Sequence, residues 1–521
     1  MGLPYFMPKS FKLENSNILV FGFLFISLFL SYLPAFSIQY AHHDGYLLLT
    51  ETDYAFGHSL FMLGRFLLAF LVNFLDWFAN SIQDLVLIRL LAFLVLFLTA
   101  CIYFVWLNRY LSNALHAYLI CLITFTLPAF SIFIAWEVAS AMVPSIFSLL
   151  AAFILATPYS PTTKSDTKRR AILAFILLLS SLSVYPSAAT FYWVVPAGIL
   201  LFGRFEENTK KTLISLFLIG LCSLVFYALA LAIAKHYFIA IITKNTTYNP
   251  YILTTDFFGK LKWFISEPLI NCLNGWNIFS SKIHALFYLI VIVAGSIFSW
   301  IRHKNNFNRS HRLFGLVLLK IFLIFVLIIL AYLPNLLAVI NASWYRCATA
   351  LSAIAVLIFL WAIIEIASFF PKNRNKLITT VLILLSVKGL VMNGDNVLYY
   401  RAVPSYLEFN FVKNILKEIN PARYKRIHVI LPTSYPIRYC YDEFGTPTFR
   451  YYPYSLSSML AAAIQEDNKS ETCEFILTAS RNNEEFSADE TTFIIDMRYF
   501  TDALKLFMNR ECRYCRQNIK I

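Results

Sequence analysis

Along this chain, long apolar runs alternate with short polar ones. Runs near residues 17–36, 85–106, 116–135, 139–157, 171–186, 188–203, 211–238, 284–301, 314–338, 347–370 and 377–394 approach or exceed the length a helix needs to cross a hydrocarbon core of roughly 30 Å. The pattern predicts a polytopic α-helical membrane protein with about eleven spans. The first run, "NILVFGFLFISLFLSYLPAF", has no small-residue cleavage site and follows a weakly basic start at Lys9 and Lys12. It reads as a retained span rather than a removed signal.

The polar segments set the orientation. "KSDTKRR", "RFEENTKK", "RHKNNFNRSHR" and "PKNRNK" are short, basic and alternate with loops poor in Lys and Arg. The positive-inside rule places these four in the cytoplasm, together with the N-terminus. Parity then decides "GHSLFMLGRFLLAFLVNFLDWFAN" at 57–80. Counted as a span it would push "KSDTKRR" outside, so it reads as a helix lying in the outer interface with Arg65, Asn73 and Asp76 turned to water or protein. Residues 38–84 thereby form one long external loop and 239–283 another. The odd number of spans leaves everything after about residue 395 outside as well.

From residue 396 the period changes. "YLEFNFVKNILKEI" is an amphipathic helix, "SLSSMLAAAI" at 455–464 is a second helix, and "RIHVILP", "CEFILTA" and "TTFIIDM" read as buried strands. Residues 1–395 are thus expected to form a transmembrane domain and 396–521 a small external α/β domain, long enough to fold by itself.

Composition sharpens this picture. With 59% hydrophobic and 14% charged residues the chain is too apolar for an ordinary soluble protein, and its formal net charge of +14 belongs mostly to topology rather than to nucleic-acid binding. No Walker-type glycine loop, dinucleotide fingerprint or internal repeat is present. Cys101, Cys121, Cys222 and Cys347 fall in apolar spans, where a thiol acts as a small hydrophobe, and Cys272 falls in an external loop. Cys440, Cys473, Cys512 and Cys515 share the exported tail, which makes them disulfide candidates with three pairings open. The spacing Cys512-x-x-Cys515 also suits a redox pair or zinc, but no second close Cys or His pair supports zinc.

The candidate chemistry lies in "AHHDGYLLLTETDYAFGHSLFMLGR" at 41–65, three acids, three histidines and one arginine at the mouth of the first span. A carboxylate there, Asp44 first and Glu51 or Asp53 as alternatives, can take a proton from a sugar hydroxyl attacking an activated carbon. A phosphate leaving group departs without a proton, so one carboxylate suffices, but it needs positive charge. Arg65 and Arg346, both on the outer side, supply fork-shaped guanidinium groups; such arginines also serve as plain interfacial anchors. His42, His43 and His58 lack the i, i+4 spacing of a metal site, so His43 and His58 read as polar lining of a sugar pocket; a divalent metal held with Asp44 is the less favoured alternative, and no other cofactor is expected.

Three local patterns resemble the GT-C class of membrane glycosyltransferases, and within it the Gtr-type O-antigen glucosyltransferases of bacteria and their phages. The acid after the first span followed by "GHSLFMLGRFL" is similar to that family's acidic pair leading into a Gly-Arg helix. "LSSLSVYPSAATFYW" is similar to its Tyr-centred segment, and "SWYRCATALSAIAV" to its late Arg-bearing segment. The departures are His43-Asp44-Gly45 in place of the acidic pair, and Tyr185-Pro186 where a glutamine is usual. The resemblance implies Asp44 as the catalytic acid position, Arg65 and Arg346 on the lipid phosphate, and Tyr185 lining the pocket. It implies a polyprenyl-phosphate-linked hexose donor, a lipid-linked or surface glycan acceptor such as O-antigen, and residence in the bacterial inner membrane; a single displacement is expected to invert the sugar, and the parity of the spans to put the tail in the periplasm.

Two other classes compete. A transporter or lipid-linked sugar flippase would show ionisable residues at mid-span and two matching halves; Lys320 and Lys388 are the main mid-span charges, and no duplicated halves are visible. A polysaccharide polymerase would concentrate basic residues in a large external loop, whereas 239–283 is aromatic and only mildly basic. Trp263 and Trp276 in that loop suit either stacking on sugar faces or the membrane-interface belt.

Overall fold

The computed structural model describes residues 15–50, 60–61, 63–111, 113–157, 164–203, 207–242, 253–278, 282–304, 311–341, 343–419, 423–424, 426–432, 443–444, 454–466, 476–481 and 490–511. Each of the eleven apolar runs is helical within these residues. Among the described residues, seven helices are long and apolar enough to cross a membrane, or eight if the pair Ala114–Phe125 and Pro128–Ala135, bent by 63°, counts as one span. The bend falls at Pro128, which stands at the first helical position after an extended Leu127 and cannot carry the preceding helix forward.

Association of these helices rests on side-chain fit, since lipid is as apolar as the helix faces. Phe25 and Phe29 of the first span (Asn15–Ser37) meet Phe93 of Leu85–Tyr110 edge to face at 5.5 and 5.7 Å, and Phe36 meets the same ring at 5.6 Å. The outward faces stay apolar: Leu19, Phe23 and Leu30 on the first span and Val225, Leu229 and Ile233 on Glu207–Ile242 are exposed. Phe66–Asp76 is a helix of eleven residues. At 1.5 Å per residue it reaches about 16 Å, roughly half a bilayer core.

The last apolar helix does not stop at residue 395. Arg374–Lys417 is helical throughout, with one π-helical turn at Leu398–Ala402. The amphipathic segment expected to open the tail is therefore the far end of the same rod. Beyond it lies an open parallel sheet of three strands, β1 (Arg426–Leu431), β2 (Ile476–Arg481) and β3 (Thr492–Asp496), in the order β2-β1-β3. Its register pairs Val429 with Ala479 on one side and Ile495 on the other. Central β1 is buried along most of its length, as a strand with a parallel partner on each side should be. Tyr454–Glu466 packs on both the rod and the turn after the first span, while the last helix, Met497–Glu511, packs on β1 and on the rod.

Trp263 and Trp276 are not presented to an external ligand. Trp263 is buried and donates its indole N–H to Glu267 Oε2 at 2.9 Å; Trp276 is buried and donates to Thr126 Oγ1 at 2.9 Å. Both work as packing groups whose one polar atom is satisfied inside the protein, in place of either role expected from the sequence.

Candidate functional site

Asp44 stands on one 3₁₀ turn, His43–Gly45, closed by the Gly45 N–H donating to the His42 carbonyl at 2.7 Å. His42 is buried beneath the turn, its Nδ1 3.2 Å from Ser405 Oγ and its ring edge-on to Trp136. Asp44 itself is half-buried. Burial pushes its carboxyl up to about 6 from the usual carboxylate range, against the opposing pull of Arg346, Arg65 and Arg401, while Glu137 adds to the rise.

Arg65 arrives through a turn that only glycine forms without strain. Gly64 has φ +73°, and a Cβ there would come 2.4 Å from Leu231 Cδ1. The Gly64 and Arg65 N–H groups donate to the carbonyls of Phe61 and Leu60, at 2.9 and 3.0 Å, which sets Arg65 at the head of Phe66–Asp76. Its guanidinium carbon lies 4.9 Å from the centre of the Tyr185 ring. Tyr185 is extended, with φ −154°, between the helix Lys164–Val184 and Pro186, which starts the next helix. Its hydroxyl accepts from Arg346 Nε at 3.2 Å and lies 3.2 Å from Cys347 Sγ.

Arg346 occupies a second 3₁₀ turn, Tyr345–Cys347, ahead of the span Thr349–Ala367. Its guanidinium carbon is 4.7 Å from the Trp136 ring centre and 4.2 Å from that of Trp344. A carboxylate from the tail closes this turn. Glu443 Oε1 accepts from the Arg346 N–H at 3.2 Å and from Arg346 Nη1 at 3.1 Å, and Oε2 accepts from the Tyr345 N–H. Burial pushes the Glu443 carboxyl up to about 6, held back by Arg346 and the two backbone donors.

A third guanidinium comes from the π turn. Arg401 is fully buried, 5.3 Å from the Trp136 ring centre and 6.0 Å from that of Phe444. The Trp136 indole thus carries Arg346 and Arg401 together, contacts worth about 0.5–2 kcal/mol each where water is excluded. The next residue, Glu137, forms a fully buried ion pair with Arg89 Nη1. Arg89 also donates to the Tyr40 carbonyl at 2.9 Å and stacks 4.0 Å over the Tyr40 ring. Glu137 Oε2 is buried with no hydrogen-bond partner among the described residues, and it faces Gly45: a Cβ there would stand 2.6 Å from this oxygen.

Four sequence-predicted residues, Asp44, Arg65, Tyr185 and Arg346, are brought into one cluster. Glu51, Asp53 and His58, the side chain of His43, and the disulfide candidates Cys440, Cys473, Cys512 and Cys515 lie outside the described residues. Cys101, Cys121, Cys222, Cys272 and Cys347 are free thiols. The sequence reading weighs Lys320 and Lys388 as mid-span charges and passes over Arg89 and Glu137. Yet an Arg and a Glu inside two apolar runs were a visible signal, because ionisable residues there are costly and seek each other. Arg401 and Glu443 carried no comparable signal, lying at an apparent helix end and in a loop. Chemically, three guanidinium groups around one half-buried carboxylate make a place that holds an anion and accepts a proton side by side.

Such a cluster at the ends of several helices of a polytopic frame has the character of a GT-C-type membrane glycosyltransferase. The family described as glucosyl transferase GtrII matches residues 49–362, more than half of the chain, and the protein belongs to it. Arg65, Glu137, Tyr185 and Arg346 lie within the matched segment, and Asp44, Arg401 and Glu443 outside it. No curated protein matches the chain.

Proposed function

We propose that this glycosyltransferase moves a hexose, glucose in the first instance, from a polyprenyl-phosphate carrier to a cell-surface glycan such as O-antigen, on the outer face of a bacterial inner membrane. The observation that carries this reading is the convergence of Arg65, Arg346 and Arg401 on Asp44, whose raised pKa suits a base working near neutral pH. The acceptor hydroxyl oxygen attacks the anomeric carbon as its proton passes to the Asp44 carboxylate. The bond from that carbon to the phosphate oxygen breaks, and the polyprenyl phosphate leaves with the bonding electrons, its charge met by the guanidinium groups. A single displacement inverts the sugar. Tyr185 lines the pocket and holds Arg65 and Arg346 in relation to each other. Eleven crossings, a cytoplasmic N-terminus and a periplasmic domain from about residue 396 complete the reading, which has support from the alternation of basic loops.

Asp44→Asn keeps the size of the side chain and removes the base. Mass spectrometry of the surface polysaccharide from cells with the wild-type or variant gene should show the hexose lost, since a positioned base is worth about 10²–10⁴ in rate. Transfer at the wild-type rate by a normally inserted Asp44→Asn protein rules the reading out.

A further inference from the structure

The pair Arg89–Glu137 does more than satisfy two buried charges. Glu137 is pinned through Oε1, while Oε2 has no hydrogen-bond partner among the described residues and is aimed at the residue after Asp44. A carboxylate oxygen buried without a donor costs about 1–3 kcal/mol or more. The frame retains that cost at the one place where Glu137 touches the Asp44 turn. Gly45 fits only because it has no side chain, with 2.6 Å between its would-be Cβ and Oε2. Arg89 prevents the glutamate from swinging away, because it is itself fixed by the Tyr40 carbonyl and ring.

We propose that Glu137 is a positioning residue for Asp44: held by Arg89, it fixes the Gly45 turn by contact and sets a carboxylate against the turn that carries the base. This rests on the reading of Asp44 as the base. The groups acting on Asp44 are Arg65 at the head of the interfacial helix, Arg346 on its 3₁₀ turn, Arg401 on the π turn and Glu137. His42 precedes the turn, and the packed helix Tyr454–Glu466 contributes Glu466, paired with Lys413 at 2.7 Å. Of the acids around the cluster, Glu443 is already engaged by Arg346, and Glu137 opposes the three cations acting on Asp44. Removal of Glu137 lets the cations draw the proton off more easily.

The test measures transfer of labelled glucose from polyprenyl-phosphate glucose into the surface glycan of isolated membranes, across pH, for wild type, Glu137→Gln and Asp44→Asn. Glu137→Gln should move the acidic limb of the rate profile to lower pH by about one unit, as loss of a neighbouring like charge does, and lower kcat with little change in donor KM. A purely structural glutamate would lower the amount of active enzyme and leave the limb in place. An unmoved limb in Glu137→Gln beside an inactive Asp44→Asn overturns the inference and leaves the function standing; a fully active Asp44→Asn overturns both. If Glu137→Gln is not recovered in membranes, Gly45→Ala decides. It should be nearly inactive alone and regain at least tenfold when combined with the shorter Glu137→Asp, and absence of that rescue overturns the proposal.

Discussion

Two arginine–glutamate pairs flank the same cluster and are built differently. Arg89–Glu137 is sealed: both side chains have 0% exposure, both residues belong to the helical frame, and one carboxylate oxygen remains without a hydrogen bond. Arg346–Glu443 joins the frame to the tail: the arginine keeps 12% exposure, and both carboxylate oxygens accept hydrogen bonds, two of the donors being backbone N–H groups. A sealed pair with an unspent oxygen fixes a neighbour in place. A saturated pair that draws on backbone amides fastens one segment to another, and it uses the donors that would equally suit a phosphate.

Breaking the sealed pair should have the largest effect. Arg89→Met strands the Glu137 charge in the frame and should cost about 3–5 kcal/mol, seen as a lower unfolding temperature in detergent. The double replacement Arg89→Met with Glu137→Leu should recover most of that stability, because a well-packed apolar pair often equals a buried ion pair. Its sugar transfer should stay low, which separates holding the frame from placing the base.

Breaking the other pair should cost less and act elsewhere. Glu443→Gln retains a carbonyl oxygen for the backbone donors but removes the charge facing Arg346, for a loss of about 1–3 kcal/mol. Trypsin should release the tail faster while the spans remain intact. Equal protection of tail and frame in this variant would mean that the pair does not fasten them.

The smallest effect sharpens the contrast through pH. Since the Asp44 carboxyl is raised to about 6, and a base works only when deprotonated, the transfer rate should be level above that pH and fall on acidification, about tenfold for each unit below it. A rate that holds level down to pH 4 would remove Asp44 from proton transfer.

Much of the frame was legible because a bilayer imposes a length and a polarity on each crossing, and the chain states both in its apolar runs and basic loops. Asp44, Arg65 and Arg346 could be named together because polar chemistry at span ends is conspicuous against an apolar background. The strands at "RIHVILP" and "TTFIIDM" and the helix at "SLSSMLAAAI" showed through period and residue type alone. What stayed hidden depends on contact at a distance. Arg89 and Glu137 are 48 residues apart, and Glu443 meets Arg346 across 97. Trp136 and Arg401 meet only because the rod packs on the bent helix pair, and no local pattern encodes that. The continuity of the last helix was hidden for the opposite reason: the change from fully apolar to amphipathic character near residue 395 gave no sign that one helix runs on to Lys417.

The π turn at Leu398–Ala402 also sets an angle. A helix advances about 100° per residue, so the extra residue of a π turn rotates everything beyond it by that amount relative to a regular helix. The rod Arg374–Lys417 is therefore keyed: its apolar first half and its amphipathic far half are out of phase, and the key lies at Arg401. Deleting one residue from the turn would straighten the phase and swing the sheet domain around the rod axis by roughly a quarter turn. Glu443 and Phe444 would then be carried to a different side of the molecule from the arginine they now meet. Natural variation in the length of this segment would act as a rotary setting for which surface of the tail faces the site.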